Sequence, residues 1–89
     1  MPAVDVTVHD ARDGWTADVT VRSATMTTHR VRISRAEHAK YGDGDVADLV
    51  RRSFAFLLER ETNTSILREF SLSTIQRYFP EYAAEMVRP

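Results

Sequence analysis

The chain predicts an α+β fold: a three-stranded antiparallel β-meander, then one amphipathic helix packed on the sheet, then short C-terminal helices. Three observations carry that prediction. Apolar and polar residues alternate one by one up to about residue 33, the pattern of half-buried strands. From Val46 onward the apolar residues recur at helical spacing instead. After residue 60, capping residues and one proline divide the chain into short pieces.

In the first strand Val4, Val6 and Val8 alternate with Asp5, Thr7 and His9. The run Asp10-Ala-Arg-Asp-Gly14 follows, and Asp-Gly is a strong turn signal. Trp15, Ala17, Val19 and Val21 then give a second strand one apolar face, with Thr16, Asp18, Thr20 and Arg22 on the other. A short Ser23-Ala24 link leads to a third strand near residues 25–33, rich in threonine and β-branched residues. Short links make neighbouring strands antiparallel, so the three form a meander.

Ser34-Arg-Ala-Glu37 has the capping-box pattern, predicting a helix over about residues 35–41 that stops at Gly42. Asp45 caps the next helix. There Val46, Leu49, Val50, Ser53, Phe54, Leu57 and Leu58 fall at i, i+3, i+4, i+7, i+8, i+11 and i+12, the best periodic signal in the chain. Thr64 or Ser65 is expected to cap a turn of helix carrying Ile66, Leu67 and Phe70. Ser73-Thr-Ile-Gln76 offers another capping box, with Ile75, Tyr78 and Phe79 buried. Pro80 suits the first turn of a last helix, from Pro80 to about Val87.

A chain of 89 residues supports one hydrophobic core, so residues 1–89 are expected to form one domain, with a meander over 1–33 and a helical part over 34–89. Without cysteine there is no disulfide, thiol nucleophile or cysteine-bound metal, and a small unstapled domain fits a reducing cytoplasm. The start, Met1-Pro-Ala-Val-Asp-Val, lacks the basic-then-apolar pattern of a signal peptide, and no run approaches the roughly 20 apolar residues that span a bilayer. Twelve basic and thirteen acidic residues are spread evenly over both halves, which leaves no strong electrostatic footprint for nucleic acid or anionic lipid.

The residue types that carry chemistry do not assemble into a motif. His9, His29 and His38 show no metal-ligand spacing and read as surface or strand-edge residues. Asp43-Gly44-Asp45 with Asp48 superficially resembles a calcium loop, but the twelfth residue is Phe54, and Asp45 and Asp48 have ordinary work at a helix start. Gly42-Asp-Gly44 is too short for a phosphate loop, and no nucleophile motif is present. The sequence therefore implies no catalytic residue, metal or cofactor.

Two surfaces remain. Phe56 lies about 100° from the centre of the apolar helical stripe, so either the C-terminal helices cover it or it joins an interface. Tyr82, Met86 and Val87 could supply the lid or a contact surface. The third strand has no proline or glycine to protect an edge, which places His29 and Arg30 in a candidate homodimer contact. These residues predict a non-enzymatic protein–protein interaction module that self-associates, with Phe56, Tyr82, Met86, His29 and Arg30 in contact. The second reading is a nucleic-acid-binding regulator, antitoxin-like, using Arg22, Arg30 and Arg32 on one sheet face, with Arg35 following directly. Against it, Asp5, Asp18 and threonines share that face, and no aromatic residue stands there to stack on bases.

The segment Ser65-Ile-Leu-Arg-Glu-Phe70-Ser-Leu-Ser73-Thr-Ile75-Gln-Arg-Tyr-Phe-Pro-Glu-Tyr82, with Arg52-Ser-Phe-Ala-Phe-Leu-Leu-Glu-Arg60 before it, resembles the tail of a family of small bacterial proteins with no established activity. The likeness covers residues 46–82 and departs from the family at Ser71, where an acidic residue often stands. It implies a free-standing cytoplasmic bacterial protein and carries over no functional residue. The layout of strands followed by an amphipathic helix is also similar to antitoxins of the HicB type, in arrangement alone.

Overall fold

The computed structural model describes residues 3–42 and 44–87. Its sheet opens with β1 (Ala3–Ala11), β2 (Gly14–Arg22) and β3 (Met26–Ser34), the predicted antiparallel meander. A two-residue turn, Arg12-Asp13, joins β1 to β2, and the register runs without a break from Ala11↔Gly14 to Ala3↔Arg22. Gly14 is required there: its φ is +146°, and a Cβ would strike the carbonyl oxygen of Ile33.

Ser34 starts α1 (Arg35–Tyr41) with the capping box the sequence predicts: its Oγ accepts from the Glu37 N–H, and Glu37 accepts from the Ser34 N–H. Asp45 caps α2 (Val46–Leu58), whose buried stripe is Val46, Leu49, Val50, Ser53, Phe54 and Leu57. These side chains lie on Ala17, Val19, Val21, Val31 and Ile33 of the sheet in one core. The longest helix thus packs on the face that the strands' alternation had made apolar.

After α2 the chain departs from expectation. A 3-10 turn at Asn63–Ser65 gives way to extended backbone at Ile66, and β4 (Glu69–Ser71) pairs in parallel with β3. The helical turn expected over Ile66, Leu67 and Phe70 does not form. The outer edge of β3 needed partners: Arg30 N–H donates to Arg68 O at 2.7 Å and Leu72 N–H to Arg32 O at 3.0 Å. Tertiary pairing outweighed a weak local helix signal. The strand order is β1-β2-β3-β4, and α1 and α2 supply the long crossover that a parallel neighbour demands.

Two short helices finish the described chain, α3 (Ser73–Tyr78) and α4 (Tyr82–Met86). Ser73 does not cap α3 with its side chain, contrary to the expected box with Gln76; Leu72 is the cap residue, and the Ser73 N–H donates to Glu37 Oε2 at 2.7 Å. Pro80 lies in the turn before α4, not inside the helix. No helix among the described residues is long and apolar enough to cross a membrane.

Candidate binding surfaces

Phe56 is the clearest test of the sequence reading, and the C-terminal helices close over it. Its ring meets Phe79 edge-on at 5.9 Å and Tyr82 at 5.3 Å, and the Arg60 guanidinium lies 3.6 Å from its centroid. Arg60 is held there by Phe56 O and by Glu81. Tyr82 and Met86 are buried as well. Tyr82 gives its hydroxyl to Ser53 Oγ at 2.6 Å, while Ser53 donates to Leu49 O at 2.8 Å. Burial pushes the Tyr82 hydroxyl well above the ordinary tyrosine range, with the Ser53 bond opposing. The three residues expected in an interface therefore belong to the core.

The expected contact at the third strand is corrected too. β3 is an inner strand, flanked by β2 and β4, so it offers no edge to a second copy. His29 is buried at 4% exposure, beside the Phe54 ring. Its Nδ1 donates to Leu67 O at 2.7 Å, and its Nε2 meets Thr27 Oγ1 at 2.8 Å. Asn63, also buried, donates to Thr27 Oγ1 and Thr25 O and fastens the 3-10 turn to the start of β3. Arg30 alone of the five predicted contact residues is exposed, on the opposite face of the sheet.

That opposite face carries no covering element among the described residues, and it is mostly polar, with Ala3, Ala11 and the exposed Met26 at its ends. Its arginines are not a free basic patch. Arg22 pairs with Asp5 at 3.1 Å, Arg30 with Asp18 at 3.2 Å, and Arg32 with Glu69 at 3.7 Å. His9 reaches the same Asp18 at 3.0 Å. The Arg30 hydrogen bond, with His9 adding to it, holds the Asp18 carboxyl below its usual range against a desolvation effect that raises it. Arg35, the first residue of α1, lies 5.8 Å from the Trp15 ring. The structure thus brings Arg22, Arg30 and Arg32 onto one surface, as predicted, but each with a carboxylate.

The remaining polar candidates have structural partners. His38 bonds Gly44 O and meets Trp15 edge-on at 4.9 Å. Asp45 caps α2, and Asp48 pairs with Arg52 at 3.2 Å; Asp43 lies outside the described residues. No group of three or more His, Cys, Asp or Glu among the described residues could hold a metal ion.

A surface the sequence reading missed opens at the far end of the helical layer. α2, the 63–67 turn, β4 and α3 enclose an open groove of about 400 Å³. Leu57, Ile66, Phe70 and Ile75 form its apolar floor, and Leu67, Tyr78 and Phe79 its rim. Tyr78 is 64% exposed and Leu67 49% exposed. Tyr78 had been placed in the core because Ile75, Tyr78 and Phe79 make an acceptable stripe. The stripe that packs is Leu72, Ile75 and Phe79, which leaves Tyr78 about 90° off the buried centre. Starting the helical phase at Leu72 would have revealed it.

Comparison of the chain with protein-family models, with curated proteins and with solved structures found no match.

Proposed function

We propose that the protein is a non-enzymatic protein–protein interaction module of the bacterial cytoplasm. The observation that carries this reading is the apolar groove with Leu67 and Tyr78 exposed on its rim. Water gains by release from such a surface, and a tyrosine offers a large apolar body with a polar tip at low entropic cost. An amphipathic helix laid into a groove is a common mode of peptide recognition and suits this shape.

The test uses Leu67→Asn combined with Tyr78→Ser, two exposed positions whose replacement should leave stability within about 0.5 kcal/mol. Partners are captured from a lysate of the source cells with the parent and the double variant. Loss of a specific partner at unchanged melting temperature supports the groove. Retention of every partner by the double variant would rule the groove out as the binding surface.

A further inference from the structure

We propose that the outer edge of β1 pairs antiparallel with β1 of a second copy, about a two-fold axis through Val6, so that two four-stranded sheets become one. This self-association rests on the reading that the chain works through protein contacts, but it uses a surface separate from the groove.

The free edge can be read from the ladder. Arg35 N–H donates to Asp13 O at 3.2 Å, so the odd-numbered residues of β2 face β3 and the even-numbered ones face β1. Their partners in β1 are Ala3, Asp5, Thr7, His9 and Ala11. The N–H and C=O groups of Val4, Val6 and Val8 therefore point away from the sheet. Between Val4 and Val8 the one charge, Asp5, lies on the opposite face, and Asp10, the charge on the valine face, stands near the end of the strand. β1 runs nine residues without proline, glycine, lysine or bulge, and no strand among the described residues pairs with its outer side.

The edge is also complementary to itself. Val4-Asp5-Val6-Thr7-Val8 is nearly symmetric about Val6, as a two-fold contact between identical strands requires. Centred there, Val4 opposes the second copy's Val8 and Val6 opposes its own counterpart, all on the helix side. On the other face Asp5 opposes Thr7. Both neighbouring registers are worse. Centring on Asp5 sets that carboxylate directly against its copy. Centring on Thr7 sets the Asp10 carboxylate against Val4; its gain, Asp5 opposite His9, draws on side chains that Arg22 and Asp18 already hold. The three valines are only half-buried against the core, so pairing also covers apolar surface that the single chain leaves wet.

One strand edge is a narrow contact beside the roughly 1,600 Å² of a standard interface, so the dimer forms at high concentration. In sedimentation from about 10 µM to about 1 mM, the mass should rise from 10.2 kDa toward twice that value. A mass fixed at the single-chain value throughout overturns the proposal. Val6→Pro should abolish the rise without breaking β1–β2 pairing, because the lost N–H bonds nothing inside the chain.

A second experiment does not depend on how Val6→Pro folds. The chain has no cysteine, so single cysteines report cleanly. Paired residues across the axis lie about 5.5 Å apart at Cα, within disulfide reach. Val6→Cys should oxidise to a covalent dimer faster than Thr7→Cys or Ala24→Cys; equal rates, or Thr7→Cys the fastest, overturn the register. The groove double variant should dimerise like the parent. If it stays monomeric instead, association runs through the groove, which removes the edge proposal and leaves the module reading intact.

Discussion

Replacing Glu37 by glutamine alters a side chain that holds two helix starts. Its Oε1 accepts the Ser34 N–H at 2.8 Å, closing the α1 cap, and its Oε2 accepts the Ser73 N–H at 2.7 Å, at the start of α3. A glutamine has one oxygen for these two donors, so its amide nitrogen must face one N–H. The variant loses one charge-assisted bond and weakens the other. A hydrogen bond to a charged group is worth about 1.5–3 kcal/mol and a neutral one about 1 kcal/mol. The site is half-exposed, so water recovers part of the loss, and a net cost of about 1.5 kcal/mol follows. At 4–8 °C per kcal/mol for a domain of this size, the melting temperature should fall by about 6–12 °C.

The pH dependence sharpens this test. Desolvation raises the Glu37 carboxyl, but bonds from Ser34 and Ser73 outweigh it and hold the group below its ordinary value. A carboxyl depressed by folding adds stability above its unfolded pKa of about 4.3, and that stability is lost as pH falls through the folded value. The gap between parent and Glu37→Gln, read by circular dichroism melts, should be full at pH 7 and shrink below about pH 4. A gap under about 2 °C at pH 7, or one unchanged down to pH 3, would refute the double-cap reasoning.

Three further predictions follow from buried groups. His29→Leu leaves the Leu67 carbonyl without its donor and should cost about 1–3 kcal/mol, read as a lower urea midpoint at unchanged slope. Ser53→Ala leaves the buried Tyr82 hydroxyl unpaired and should cost about 1–3 kcal/mol, whereas adding Tyr82→Phe should make the double variant less costly than the sum of the singles. Strict additivity would show that the two groups do not bond. Gly14→Ala forces a left-handed φ and a clash with the Ile33 carbonyl, so a loss above about 3 kcal/mol or failure to fold is expected; parent-like unfolding would contradict the turn geometry.

What could be read from the residues alone was whatever is settled locally. Period-two alternation placed β1 to β3, a capping box within four residues placed α1, and a thirteen-residue stripe placed α2. β4 was hidden because its three residues become a strand only where Arg30 and Arg32 present unpaired backbone, a partner far away in sequence. The same distance hid the second duty of Glu37: its bond to Ser34 is written in a motif, its bond to Ser73 in nothing but the fold. Candidate contacts failed for a related reason. An aromatic off the helical stripe, such as Phe56, looks spare until α4 is seen to cover it, and Tyr78 looks like core until Leu72 takes its place.

The three-residue strand also bears on the order in which the molecule can assemble. β1, β2 and β3 join neighbours through turns of a few residues, whereas fastening Leu67 to His29 must close a loop of 38 residues. A contact of that separation costs more chain entropy to close than a hairpin turn does, which favours the local hairpins forming first. Until then β3 stands with one side bare, and a chain halted before residue 63 would keep it so. The C-terminal quarter thus acts on its own chain as a chaperone would, screening a strand that would otherwise seek a partner elsewhere.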